Sequence, residues 1–317
     1  MKLASASIIV MILVTAIGLT FANRAGQEKR LSQMQRRLAK QAKRLVDLHS
    51  EMGPVKPGDW LASHHEAGQT FRQYVSSSPV KLTSKRDKLY VLPLGEFNEK
   101  QRQVVDLSAE FLSLYFSCEV KTLDELALDD VVPAEARRVH PSWGVRQINS
   151  LYVLNKVLPK RLPKDAVALI AFTTSDLYPE EKWNFVFGQA KLKDRVGVWS
   201  LFRNGDPDSE FSTCLERTLK TATHETGHMF SIRHCIAYDC NMCGSNSLEE
   251  SDRRPIYLCP ECLPKIWWST KADPVERFEK LLVFCKKNDL KKYVAYFERC
   301  IQKLKGASGA DDLRNSP

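Results

Sequence analysis

Residues 221–243 read TATHETGHMFSIRHCIAYDCNMC, and the rest of the chain has to be understood around this stretch. His224, Glu225 and His228 form an HExxH pattern, and His234 follows six residues after His228. Residues four apart lie on one face of a helix, one turn apart, so the first two imidazoles can share a zinc ion. With His234 as a third ligand, the fourth position of the metal stays open to water, as in a catalytic zinc site. Glu225 would lie beside that water as a general base.

An HExxH pattern also arises by chance, with its histidines capping a helix or facing solvent. Two observations count against chance in this chain. His234 supplies a third nitrogen ligand, and three of the seven histidines lie within eleven residues. We therefore predict a catalytic zinc on His224, His228 and His234.

Four cysteines after the histidines predict a second metal site. Cys235 directly follows His234, Cys240 lies five positions later, and Cys259 and Cys262 form a CPEC pair. Two thiolate pairs separated by a loop are a known zinc spacing, and four thiolates make a closed, structural site. A CxxC pair could instead be a redox pair or two core cysteines.

Other residues near these ligands have predicted supporting roles. Met242 could form an apolar floor under the catalytic zinc, and Cys243 is interpreted as a reduced bystander. Three basic residues could offset the excess charge of four thiolates on one zinc: Arg253, Arg254 and Lys265. Four further cysteines lie in apolar or helical contexts and are predicted to be core residues: Cys118, Cys214, Cys285 and Cys300.

The hydrophobic periodicity predicts one mixed α/β domain without internal repeats. The predicted strands are 88–94, 166–172, and the pair 184–190 and 195–201 joined by a turn. The predicted helices are 98–116, 144–158, 211–231, 274–287 and 290–305. The HExxH pattern falls inside the long helix 211–231.

The N-terminus carries a separate set of signals. Residues 1–22 contain an apolar run that suits a membrane anchor or a cleaved signal peptide. Basic residues follow the run, which favours an anchor with a cytosolic catalytic domain; a secreted protein is the alternative. We expect a basic helical arm and linker over 23–79, the catalytic domain over 80–305 and a polar tail over 306–317.

The charge distribution argues against a nucleic-acid partner. Residues 1–50 hold nine basic and two acidic residues, a net +7, whereas the remaining residues hold 38 basic and 36 acidic ones, a net +2. The predicted body is therefore nearly neutral, and it has no Arg-rich helix beside the CPEC pair. The basic arm suits contact with a membrane surface or simple solubility.

The full pattern from His224 to Cys262, with Met242 between the cysteines, resembles the archaemetzincins, which are metzincin-clan zinc metallopeptidases. The resemblance spans about residues 88–300 and implies two zinc ions per chain. The first would be held by the three histidines with Glu225 as base and Met242 in the Met-turn. The second would be held by Cys235, Cys240, Cys259 and Cys262. The resemblance also implies a twisted mixed sheet above the cleft, a helical C-terminal half below it, and 184–190 as a cleft-facing edge strand.

One departure from the clan pattern concerns the turn before the third ligand. The clan has glycine where this chain has Ser231. Glycine adopts positive φ at low cost, whereas serine does so with strain. Two functions therefore stay open: a peptidase acting on peptide or protein substrates, and a zinc-stabilised binding protein with little turnover.

Overall fold

The computed structural model describes residues 29–314, with side chains to residue 306. The predicted apolar segment 1–22 lies outside these residues. Among the helices of residues 29–314, none is both long and apolar enough to cross a membrane.

The described chain combines strands and helices, as the periodicity predicted. Its strands are β1 (Lys88–Leu94), β2 (Glu119–Thr122), β3 (Arg137–Val139), β4 (Arg146–Asn149), β5 (Ala166–Thr173), β6 (Asp176–Tyr178), β7 (Gly188–Lys191) and β8 (Val196–Ser200). Its helices are α1 (29–43), α2 (Trp60–Ser63), α3 (Phe71–Ser76), α4 (Glu99–Phe116), α5 (Leu128–Val131), α6 (Ser150–Tyr152), α7 (Phe211–Met229), α8 (Leu248–Asp252), α9 (Leu263–Thr270), α10 (Pro274–Lys287) and α11 (Lys291–Arg314).

The strands form two sheets. The larger sheet has the order β2-β1-β5-β8-β7, and β7 is its antiparallel edge, paired with β8. The smaller sheet has the order β3-β4-β6. The central strand β5 (AVALIAFT) is buried along its whole length, as expected for a parallel strand covered on both faces.

The larger sheet separates two hydrophobic cores. Along β1, Leu89 and Val91 face the core shared with α4 and α7, whereas Tyr90 and Leu92 face the opposite core. This alternation follows from the two-residue period of a strand. The α7 side is the larger core, and it places α7 directly beneath β7 and β8.

Helix α4 shows how local sequence sets a boundary. The Asn98 side chain accepts from Gln101 N at 2.8 Å, and the Gln101 side chain accepts from Asn98 N at 2.9 Å. This capping box satisfies backbone donors that the first turn leaves free. The predicted helix 98–116 is confirmed by this element.

The predicted helix 144–158 was wrong in its first half. Residues Arg146–Asn149 form β4, which pairs with β3 and β6, and helical structure begins only at Ser150. The Asn149 side chain accepts from Tyr152 N at 2.8 Å and so starts α6 after the strand. The helix then continues through a π-helical turn, Val153–Val157.

Three other predicted boundaries also shift. Strand β7 starts at Gly188 rather than at 184, because Asn184 O and Val186 N bond to the smaller sheet through Gln147 and Leu177. Helix α7 ends at Met229 rather than at 231. Helix α11 runs to Arg314, so the segment predicted as a polar tail is helical over most of its length.

The described part of the arm predicted for 23–79 is packed rather than solvated. Leu38, Ala42 and Leu45 of the N-terminal segment are at most 2% exposed and join the larger core. Tyr74 of α3 is also buried, and its hydroxyl donates to Phe230 O at 2.7 Å. The boundary at residue 80 remains a prediction, but the residues before it contribute to the same core.

We expect Leu45→Ala to destabilise the protein by about 2–5 kcal/mol, because it leaves a cavity in a closed core. Leu31→Ala is the matched control: Leu31 lies in the same helical arm but is 42% exposed, so its loss should cost under about 0.5 kcal/mol. Denaturant unfolding measures both values. Equal, small effects of the two substitutions would show that the arm does not stabilise the fold.

Candidate metal centres

The last two turns of α7 carry the first part of the site. His224, Glu225 and His228 lie within this 19-residue helix, as predicted. The Nε2 atoms of His224 and His228 are 3.1 Å apart, which is the consequence of their four-residue spacing on a continuous helix.

A left-handed turn brings the third histidine back to the helix. Ser231 has φ +68°, and its N–H donates to His228 O at 2.8 Å. Ile232 N donates to Gly227 O at 3.1 Å, so the turn closes the helix end in the manner of a C-terminal cap. Ser231 therefore adopts the positive φ that glycine, the clan residue at this position, adopts at lower cost.

The three imidazoles converge despite the serine. The His234 ring centroid lies 5.3 Å from that of His224 and 4.8 Å from that of His228. One nitrogen from each ring falls within 4.8 Å of the others. This separation suits three nitrogen ligands around one zinc ion.

The other nitrogen of each ring has an acceptor that sets the tautomer. His224 Nδ1 donates to Asn241 O at 2.7 Å, and His228 Nδ1 donates to Ile232 O at 2.6 Å. His234 Nδ1 donates to a carboxylate oxygen of Glu66 at 2.7 Å. Each Nε2 then keeps its lone pair for a metal.

The electrostatics of the site also favour metal binding. Burial lowers the pKa of His224 and of His228 to about 4, so both rings are neutral near pH 7. Burial raises the pKa of the Glu225 carboxyl, while the neighbouring histidines act in the opposite direction. A carboxylate held with a raised pKa is a stronger proton acceptor than one in water.

The predicted Met242 lies directly against α7. Its side chain is fully buried, and a Cβ atom placed on Gly227 would come within 2.6 Å of Met242 Sδ. Gly227, between the two helical histidines, therefore leaves room for the methionine. Sequence reasoning identified Met242 but missed why position 227 needs glycine.

The four predicted cysteines form a second buried cluster. One sulfur from each lies within 4.8 Å of the others, and the Sγ atoms of Cys235 and Cys259 are 3.6 Å apart. All nine cysteines are free, so the CPEC pair is not a disulfide here. Burial raises the pKa of the Cys240 thiol, so its thiolate would need a neighbouring cation. The donor set fits a structural zinc.

Only one of the three predicted charge-balancing residues reaches the sulfurs. The Lys265 ammonium is buried and lies 3.8 Å from Cys262 Sγ. Arg253 pairs with Asp59 and Arg254 with Asp239, so both guanidinium groups are used elsewhere. Lys265 is therefore the predicted residue that lies beside the cluster, and the two arginines pair with aspartates of the surrounding loops instead.

The remaining cysteines follow the prediction with one exception. Cys214, Cys285 and Cys300 are fully buried, whereas Cys118 is only partly buried. Cys243 lies beside the cluster, where its thiol donates to Tyr238 O at 3.2 Å.

Two cavities flank the histidines. A cavity of about 90 Å³ is lined by His224, Glu225 and Phe187 among others. A larger one, about 510 Å³, is lined by His228, His234 and Leu192. Phe187 immediately precedes β7 and Leu192 immediately follows it. The edge strand therefore spans from one cavity to the other across the histidines.

Sequence reasoning missed the residues that approach from the N-terminal side. Glu66 was assigned to a linker, yet it contacts His234 across 168 positions. A separation of this size leaves no local periodicity or spacing from which the contact could be predicted.

A family model described as Peptidase family M54 matches residues 148–267. Archaemetzincin-2 of Macaca fascicularis is 35% identical over 272 residues, covering 73% of this chain and 73% of that protein. Archaemetzincin of Archaeoglobus fulgidus is 32% identical over 179 residues, covering 56% of this chain and 98% of that one. The crystal structure of archaemetzincin from Methanopyrus kandleri is 29% identical and covers 60% of this chain and 98% of that chain, with a TM-score of 0.46.

The turn at Ser231 yields a test of its own. Ser231 Oγ accepts from Val80 N at 3.1 Å, a bond that glycine cannot make. Ser231→Gly should change stability by under about 1 kcal/mol, because relief of positive φ offsets the lost bond. Ser231→Ala should cost about 1–2 kcal/mol, since it leaves Val80 N unpaired and, unlike glycine, gives no relief of the positive φ.

Thermal or denaturant unfolding ranks these variants. Ser78→Ala is the matched control, because Ser78 also has positive φ, +52°, but is exposed. Its stability should stay within about 0.5 kcal/mol of the parent protein. If Ser231→Ala were as stable as the parent, the bond to Val80 would not contribute.

Proposed function

Because the chain belongs to the archaemetzincin family and is a zinc metallopeptidase, we propose that it hydrolyses peptide bonds with Glu225 as general base and zinc held by three histidines. The ligands would be His224, His228 and His234. The observation that carries the proposal is the convergence of these rings, each with Nδ1 hydrogen-bonded and with one nitrogen within 4.8 Å of those of the other two.

In the proposed hydrolysis, the metal and the side chains have different roles. When bound, zinc activates a water molecule and polarises the scissile carbonyl. Glu225 lies on the same helix, one position after the first ligand, and lines the small cavity beside it. Its carboxylate takes the proton of the attacking water and then delivers it to the leaving amine.

The substrate would bind along the sheet edge. Strand β7 is an edge strand, and α7 packs beneath it. An extended peptide can add to such an edge through main-chain hydrogen bonds. Because β7 spans from one cavity to the other, that peptide would cross the histidines with side chains on either side of the scissile bond.

The cysteine cluster is proposed to hold a second, structural zinc. It would fasten the loop that follows the third histidine, since Cys235 is the next residue after His234. A metal in this position would contribute directly to folding, because it would link Cys235 and Cys240 to Cys259 and Cys262.

The alternative of a zinc-stabilised binding protein rested on Ser231. The turn at Ser231 still brings His234 close to the other two rings. The serine at this position therefore no longer favours the binding-protein alternative. Activity measurements decide between the two.

We expect Glu225→Gln to lower peptide hydrolysis by about 10²-fold or more while the zinc content stays unchanged, because the amide cannot accept the proton. Hydrolysis of a broad peptide library and metal analysis measure the two effects. Glu249→Gln is the matched control, since the Glu249 side chain is 88% exposed and lies outside both cavities. Equal, negligible hydrolysis by parent and Glu225→Gln proteins would overturn the peptidase proposal.

We expect two zinc ions per chain, one lost in His228→Ala and the other in Cys259→Ser. Each substitution removes one ligand from a different cluster. Cys285→Ser, a buried cysteine outside the cluster, should keep both ions. Atomic absorption on the purified proteins gives the counts, and a single zinc in the parent protein would refute the two-site proposal.

A further inference from the structure

The third histidine is the one ligand that no helix holds. His224 and His228 lie on α7, and their Nδ1 atoms donate to backbone carbonyls. His234 lies in a loop, three residues past the left-handed turn, and its Nδ1 donates to a side chain instead. That side chain, Glu66, is outside the region matched by the family model.

The Glu66 carboxylate is itself held in place. Its Oε1 accepts from both His234 Nδ1, at 2.7 Å, and Trp60 Nε1, at 3.0 Å. The Trp60 backbone N–H donates to the Glu250 carboxylate, and its ring packs against Gly244 so closely that a Cβ there would come within 2.4 Å. The indole is therefore fixed, and with it the carboxylate.

The second carboxylate oxygen of Glu66 indicates that the negative charge of this side chain has a role. Glu66 Oε2 is buried without a hydrogen-bond partner among the described residues. Burying a carboxylate oxygen without a hydrogen-bond partner costs free energy. A contact that only stabilised the fold would not require that cost. A neighbouring cation on the far side of the His234 ring would supply the compensating interaction.

The same segment also holds the turn that precedes His234. The Gln69 side chain donates to Ser231 O at 3.3 Å and accepts from Arg233 N at 3.2 Å. Val80 N donates to Ser231 Oγ. Residues 60–80, which we call the clamp segment, thus make these three hydrogen bonds to the turn and one to the His234 ring.

The clamp segment is tied to the second metal site as well. The Lys265 ammonium donates to Gln69 O and lies 3.8 Å from Cys262 Sγ. Phe71 N donates to the carboxylate of Glu261, which stands inside the CPEC pair. The segment is therefore anchored on the cysteine loop and reaches from there to His234.

We propose that Glu66 is a positioning residue of the histidine metal site, and that the clamp segment belongs to that site although it precedes the matched family region. The inference rests on the proposed function, because it assumes that zinc binds the three histidines. A carboxylate on Nδ1 orients the ring and makes Nε2 a better donor, and such partners are worth about 10–100-fold in metal affinity.

The test compares two substitutions in the full chain. Glu66→Gln keeps the shape and an acceptor oxygen but removes the charge, and should weaken zinc binding at the histidine site about 10-fold. Glu66→Ala removes both and should approach a 100-fold loss. Zinc affinity is measured by competition with a chelator of known affinity, and Glu66→Asp should recover part of the loss.

A second readout separates positioning from general stability. With cobalt at the histidine site and zinc kept in the cysteine cluster, the visible absorption spectrum should change in Glu66→Gln, because it then reports the ligand geometry of the histidine site. Asp59→Asn is the matched control: Asp59 ties the adjacent residues to Arg253 and Lys56 without touching a histidine. It should leave the zinc affinity and the cobalt spectrum unchanged even if the unfolding midpoint falls.

The outcomes distinguish this inference from the proposed function. A Glu66→Gln protein with parental zinc affinity and an unchanged cobalt spectrum would overturn the positioning role while the peptidase proposal stands. A parent protein that binds no metal at the histidines would overturn the proposed function and this inference together. An equal loss of affinity in Asp59→Asn would assign the effect to loosening of the segment and so would also refute a specific role for Glu66.

Discussion

The left-handed turn at Ser231 is the constraint on which the metal centre depends. An α-helix presents two histidines on one face, but it cannot present a third toward the same point without ending. The turn ends α7 at Met229 and reverses the chain so that His234 faces the helix it has left. Such a conformation costs serine about 1–2 kcal/mol, so the surrounding structure must supply the compensation.

That compensation comes from two directions. Beneath the turn, Met242 packs into the space left by Gly227 and its carbonyl accepts from Cys235 N at 2.8 Å. On the other side, the clamp segment bonds to Ser231 and to His234. The strain is therefore local, whereas the interactions that maintain it come from parts of the chain far apart in sequence.

The two metal clusters share one short piece of backbone. His234 and Cys235 are neighbours, yet one faces the histidine site and the other the cysteine cluster. A single peptide unit therefore connects the histidine cluster to the cysteine cluster. The backbone next to His234 is held by the cysteine loop through Cys235 N, and the His234 ring is held by Glu66.

The sequence by itself determined the parts that depend on short-range spacing. The four-residue interval between His224 and His228 predicted the histidine pair. The CPEC pair and its distance from Cys235 predicted the sulfur cluster. Asn98 with Gln101 set the start of α4. Tertiary structure decided the rest. It made residues 146–149 a strand, because sheet partners outcompeted a helical pattern, and it brought Glu66 to His234 across 168 positions. Spacing along the chain specifies which side chains share a face, but a contact between distant segments depends on how the cores pack, and no local pattern records it.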